Sequence, residues 1–182
     1  MEMLCLEVIN SDWHDHRGLV PDEDRLLQPA WLERLLACWQ LAVATKPAAS
    51  EIAALQALRT LMQQIVQNLM DRRTPTAAQM EALNRYLAAA PFHRALREIE
   101  GQYQLQDSAL QQDWNWVLGE VASSFATLIT RYDTSRIKRC ENPQCRWTYY
   151  DESANHTRRW CEDSCANLMR VRRFRTRQQV KK

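Results

Sequence analysis

Four of the six cysteines stand in two close pairs, Cys140 with Cys145 and Cys161 with Cys165, spaced C-x4-C-x15-C-x3-C. Zinc takes tetrahedral sets of four thiolates, and each short pair can bring two sulfurs to about 2.3 Å from one ion while the loop between them folds back. Four protein ligands fill the coordination sphere, so the zinc such a set holds is structural, with no position left for an activated water. His156 lies between the pairs and could replace a cysteine, but the four thiols already complete the set. The start, "MEMLCLEVINSDW", carries Glu2 and Glu7 in its short apolar run and lacks the basic opening of a signal peptide. The expected compartment is therefore the cytoplasm, where paired cysteines mean metal more often than disulfide. Cys5 and Cys38 fall outside the cluster and are expected to behave as small buried hydrophobes.

Arginine follows the cysteines directly. From Leu168 to Lys182 there are seven basic residues and no acidic one. Arg170, Arg173 and Arg177 share one face of a helix, roughly opposite the cysteines, with Arg172 and Arg175 on its flanks, and Arg158 and Arg159 add charge just before Cys161. Arginine at this density suits bidentate contacts to phosphate and to guanine edges in a major groove. Trp160, beside Arg159, reads as core of a small metal-bound unit before it reads as a base-stacking platform, because such a unit has few other apolar side chains. Residues 136–182 carry 13 Lys and Arg against 5 Asp and Glu, whereas residues 1–135 carry 11 against 17, so a basic end joins an acidic body. That split points to a polyanionic partner.

The elements that must hold these groups follow from pattern. "RWTYYDESANHTRRW" alternates through Trp147, Tyr149 and Asp151 and turns at Ser153, Ala154 and Asn155, which fits a β-hairpin. After Cys161 a helix can run to about Arg177, placing Cys161 and Cys165 on one face of its first turn. Knuckle, hairpin and helix in that order make a treble-clef-like finger, and zinc supplies the order that so small a core cannot.

The rest of the chain reads as helical, with only three glycines. Pro29 opens a stripe of Leu32, Leu35, Leu36, Trp39 and Val43 that runs until Pro47; Ser50 is placed to cap a helix carrying Leu55, Leu58, Met62, Ile65 and Leu69. Thr76 and Gln79 form a capping box before Met80, Leu83 and Leu87, and Asp113 to Tyr132 carries Leu118, Val121, Phe125 and Leu128 on one face. All four stripes are expected to be core. "ALREIEGQYQLQ" fits a small hairpin around Gly101, and "CLEVIN" is either a short strand or a helical turn. "NSDWHDHRG" gathers Asp12, His14, Asp15 and His16, but no motif places a full ligand set there and such loops are usually just solvated. The fold expected is mainly α: a helical N-terminal domain with a small hairpin (1–134) and a C-terminal treble-clef-like four-cysteine finger (135–182).

The stretch "RIKRCENPQCRWTYYDESANHTRRWCEDSCANLMRVRRFRTR" resembles the CGNR zinc finger family, and "LCLEVINS" with the helices after it is similar to the ABATE domain that usually precedes that finger. The tetrapeptide that names the finger reads Cys165, Ala166, Asn167, Leu168 here, and the last cysteine pair is spaced by three residues instead of four. Zinc ligation tolerates both changes, and Arg170 stands two residues on from the missing arginine. The resemblance implies a bacterial transcription regulator with one zinc, DNA binding by the finger and a sensory role open for the helical domain.

Two classes of function remain on this reading, a double-stranded-DNA-binding regulator and an adaptor whose finger meets protein or RNA. A homodimer and a small-molecule ligand of the helical domain are the further partners it admits. An enzyme ranks behind both, since no Gly-rich phosphate loop, nucleophile elbow or His-Glu-x-x-His motif is present. No apolar run approaches the roughly 20 residues of a membrane span.

Overall fold

A computed structural model describes residues 1–180. Among them are six α-helices and three two-stranded antiparallel ladders, a mainly α architecture. "CLEVIN" is helical: α1 (Leu4–Ile9) buries every residue but Glu7. A helix apolar on all sides belongs at the centre, and α1 packs between α3 (Ala49–Met70) and α5 (Trp114–Arg131).

α2 (Pro29–Cys38) begins at its proline as expected but stops well before Pro47. Gln40 turns left-handed at φ 54°, and the N–H groups of Gln40 and Leu41 donate back to the carbonyls of Ala37 and Leu36 at 3.3 and 2.8 Å. This paired return is a Schellman stop. It buries Leu41 and lets the Trp39 indole N–H donate to Glu7 at 2.7 Å, tertiary contacts that outweigh the helical period of the sequence. α3 is capped at Ala48, not Ser50, with the Ala48 N–H on the Glu51 carboxylate; Ser50 lies inside the first turn. Its stripe of Leu55, Leu58, Met62 and Ile65 is fully buried.

α4 (Ala77–Ala88) carries the expected capping box, Gln79 N–H to Thr76 Oγ1 at 3.2 Å and Thr76 N–H to Gln79 Oε1 at 2.9 Å. α5 is capped by Asp113, which accepts from the Trp116 N–H at 3.0 Å, and it buries Val117, Leu118, Val121, Phe125 and Leu128. Gly119 fixes how closely α4 and α5 approach, because a Cβ there would stand 2.1 Å from that of Ala90. Any side chain would force the two apart.

Between α4 and α5 the expected hairpin forms, β3 (Phe92–Ile99) with β4 (Gln102–Ala109), turning through Glu100 and Gly101 at φ 53° and 79°. Two successive positive φ values make the tight turn that matches strand twist. The ladder pairs Leu96 with Leu105 and Glu98 with Tyr103, and all four remain exposed.

"NSDWHDHRG" folds as a closed loop. β1 (Asp12–Trp13) pairs with β2 (Glu23–Asp24), and buried Asp15 accepts the N–H groups of Arg17, Leu19 and Val20. Those bonds hold the Asp15 carboxyl below its ordinary range. Asp24 binds Arg59 through two bonds of 2.6 and 2.7 Å, tying this loop to α3. Cys5 is buried, which pushes its thiol up to about 11, whereas Cys38, expected inside, is exposed because α2 turns that side to solvent.

The C-terminal segment is built onto the body. β5 (Ile137–Arg139) places Ile137 in the main core, and β6 (Thr148–Tyr150) packs on α1. Asn10 clasps β6 with both ends of its amide, donating to the Thr148 carbonyl and accepting from the Thr148 N–H, each at 2.8 Å. Asn10→Ala is expected to lower stability by about 3 kcal/mol, since it strands two buried backbone groups. Urea unfolding measures this, and an unchanged midpoint would mean that packing alone holds the strand.

Candidate metal centre and basic helix

β5 and β6 pair in the register Ile137 with Tyr150, Lys138 with Tyr149 and Arg139 with Thr148, and the first cysteine pair occupies the knuckle between them. The Cys140 N–H closes that knuckle on the Trp147 carbonyl at 2.8 Å. The hairpin therefore forms between residues 137–139 and 148–150, not within 147–160 as the alternation suggested. Asp151 explains the difference. Its buried carboxylate accepts from the Ser153 N–H at 3.0 Å, the Ser153 hydroxyl at 2.6 Å, the Arg158 N–H at 3.1 Å and Lys138 Nζ at 2.5 Å. N–H groups given to a carboxylate are lost to a strand ladder, so residues 151–160 wrap Asp151 as a loop. Desolvation alone would raise the Asp151 pKa, but the bonds from Lys138 and Ser153 hold it well below the usual carboxylate range.

α6 spans Asp163–Val180, so Cys165 lies in its first turn and Cys161 in the bend before it. The sequence had placed both on the helix. The four Sγ atoms nevertheless converge within 4.8 Å of one another, with Cys145 to Cys161 at 3.5 Å and Cys161 to Cys165 at 3.8 Å. A zinc tetrahedron with 2.3 Å bonds has sulfur–sulfur edges of about 3.8 Å. Donor type, number and spacing thus all fit zinc, and His156 is not part of the cluster. Hydrogen bonds from the Cys145 and Cys161 thiols hold Cys140 far below the ordinary thiol range, while the same contacts push those two up. Binding a metal releases the protons that remain. Trp147 and Trp160 pack over the sulfurs, which makes Trp160 part of this small core.

The family model described as a CGNR zinc finger matches residues 136–178, covering the four cysteines and most of α6. A second, ABATE, described as a "putative stress-induced transcription regulator", matches residues 2–132, most of the chain. The chain belongs to the ABATE family. No curated protein matches it. With the finger family and the four converging thiols together, the cofactor is one structural zinc ion.

In this ABATE protein the basic residues divide into three groups. Arg170, Arg173, Arg175 and Arg177 are exposed on α6, which stands away from the ABATE body. Arg170 also donates to Asn167 at 3.0 Å. Arg158 and Arg159 flank Trp160 on the loop; Arg158 Nε donates to the Trp160 carbonyl at 2.8 Å, and Arg159 Nε to Glu141 at 2.7 Å. The guanidiniums of Arg159 and Arg173 both lie over the Trp160 ring, 5.2 and 5.6 Å from its centre. Arg172 is turned inward, donating to the Arg17 carbonyl at 3.3 Å. It stands seven residues after Cys165 and so on the same helix face, toward the body and not on a flank.

Two functional positions escaped the sequence. Asn142, wholly buried, donates to the His16 carbonyl at 2.8 Å and toward Cys165 Sγ at 3.6 Å, so one amide links the loop at 14–20 to a zinc ligand. Partners of this kind orient a ligand and tune its basicity. An asparagine inside "CENPQC" was the available signal. Asp151 was read only as part of an alternating strand, although a carboxylate followed two residues later by serine is a loop-forming pattern. No described helix is long and apolar enough to cross a membrane.

Proposed function

We propose that the chain is a DNA-binding regulator in which the zinc centre holds α6 in place and the arginines of α6 meet the duplex phosphates. One observation carries this reading: α6 projects from the body with Arg170, Arg173, Arg175 and Arg177 unburied. Packing against the acidic body would have implied a self-masked finger, and among the described α6 arginines only Arg172 hydrogen-bonds to it. Arg158 and Arg159 extend the same positive surface around Trp160. On this reading the chain binds and does not catalyse, since the zinc it holds has four protein ligands. A cytoplasmic location suits it, because thiolates persist there.

Fluorescence anisotropy with duplex DNA at several salt concentrations tests the proposal. Each phosphate contact contributes about 0.9 to the slope of log K against log salt, so replacing Arg170, Arg173 and Arg177 together by alanine is expected to lower the slope by about 2.7 and weaken binding strongly. Equally weak binding by wild type and the zinc-loaded triple variant would refute it.

A second reading, an adaptor meeting protein or RNA, draws on the β3–β4 hairpin, where Phe92, Leu96, Tyr103 and Leu105 are exposed on one face beside the Arg94–Asp107 ion pair. A second copy docking there would pair two fingers in a homodimer. Co-purified duplex DNA favours the first reading, and co-purified RNA or a stoichiometric protein partner favours the second.

A further inference from the structure

A cavity of about 600 Å³ opens where the ABATE body meets the finger. Trp31 from α2, Trp39 just past its end, Trp147 and Tyr149 from the finger, and Arg25 and Arg34 line it. Its size is that of a small-molecule site, and its walls supply both apolar and polar groups.

The two arginines decide what it would take. The ion-paired arginines among the described residues are Arg59, Arg73, Arg85, Arg94, Arg136 and Arg159. Arg25 and Arg34 are not among them; Arg25 is partly desolvated with its guanidinium 5.0 Å over the Trp13 ring, and Glu23 draws it more strongly than Arg34 repels it. The Glu23 carboxylate accepts from Gln28, so neither guanidinium makes an ion pair of its own, and an anion between them would supply one. Glu2 and Glu7 also border the cavity; Glu2 is exposed, and Glu7 accepts the Trp39 indole N–H at 2.7 Å, which leaves it directed at that ring. Flat aromatic walls favour a flat aromatic guest, and paired guanidiniums favour a carboxylate.

We propose that this cavity binds a small planar aromatic carboxylate, stacked among Trp31, Trp39 and Trp147 with its charge on Arg25 and Arg34. A guest there touches both parts of the chain at once. Tyr149 lines the cavity, and its hydroxyl donates to the Arg158 carbonyl at 2.9 Å while the Arg158 guanidinium lies 5.0 Å over its ring. Occupancy therefore bears on the position of a finger arginine. That regulatory consequence rests on the DNA-binding reading above; the binding itself does not.

The test uses the full zinc-loaded chain with 2-naphthoate and its neutral analogue 2-naphthamide, followed by calorimetry and by thermal shift without DNA. Naphthoate is expected to bind and raise the melting temperature, with affinity at least about tenfold weaker for the amide and for Arg25→Gln/Arg34→Gln, the loss of charge-assisted bonds. Arg34→Gln alone, at an exposed position, keeps the test decisive if the double variant fails to fold. Equal binding of acid and amide, binding indifferent to the arginine substitutions, or no binding of naphthoate to folded protein would each overturn the proposal. DNA affinity is measured separately by anisotropy, so a failed DNA reading leaves these outcomes readable.

Discussion

Cys165→Ser is expected to empty the metal centre and unfold the finger while leaving the helical body largely intact. Structural zinc contributes an apparent ~10–16 kcal/mol in small fingers, far more than the few apolar side chains around these sulfurs can supply. Cys165 is the buried ligand on α6, so its loss removes the fastening of the helix as well as one sulfur. Metal analysis should fall from one zinc per chain to near none, and chelation of the wild type should reproduce the effect. Hydrogen exchange should show protection lost around residues 140–165 and kept in α3 and α5, whose core is separate from the cysteine cluster. Retention of a full zinc equivalent by the serine variant would mean that another residue completes the site.

Asp151→Ala is the second substitution with a large expected effect. It removes the counter-charge of Lys138 Nζ, which keeps only the His156 and Arg158 carbonyls, leaves the Arg158 and Ser153 N–H groups without their acceptor, and takes the centre from the loop that carries Arg158 and Arg159. Breaking a buried ion pair costs about 3–5 kcal/mol; roughly 3 is expected here, because Lys138 keeps a quarter of its side chain in water. The pH dependence has a definite sign. Folding lowers the Asp151 pKa, so its stabilisation is complete above the unfolded value of about 4 and is lost only as pH falls through the folded value. The destabilisation of Asp151→Ala should therefore be the same at pH 6 and pH 8 in thermal unfolding. A cost that changed between them would point to another titrating group.

The metal centre was legible because four cysteines at ligand spacing have few other uses, and the helical body because its stripes repeat at 3.6 residues. The misreadings share one cause, that local pattern does not register a distant partner. Trp39 and Val43 continued the α2 period, yet burial of Leu41 and the bond from Trp39 to Glu7 end the helix sooner. Tyr149 and Asp151 alternate like a strand leading into a turn, yet the carboxylate of Asp151 gathers the loop and β6 finds its ladder upstream, on Ile137–Arg139 across the cysteine knuckle. Asn10 looked like the end of an apolar run, and its role depends on Thr148, 138 positions away.

That last separation has a consequence for synthesis. The innermost helix, α1, leaves the ribosome before the elements it packs on, and one of them, β6, follows only after the rest of the body. Ile137, also late, fills the main core. The nascent body must hold α1 with part of its apolar surface open until residues 137–150 arrive. Final closure of the body is thus tied to β5 and β6 and not to the metal centre, so a body that has settled carries both strands already in register.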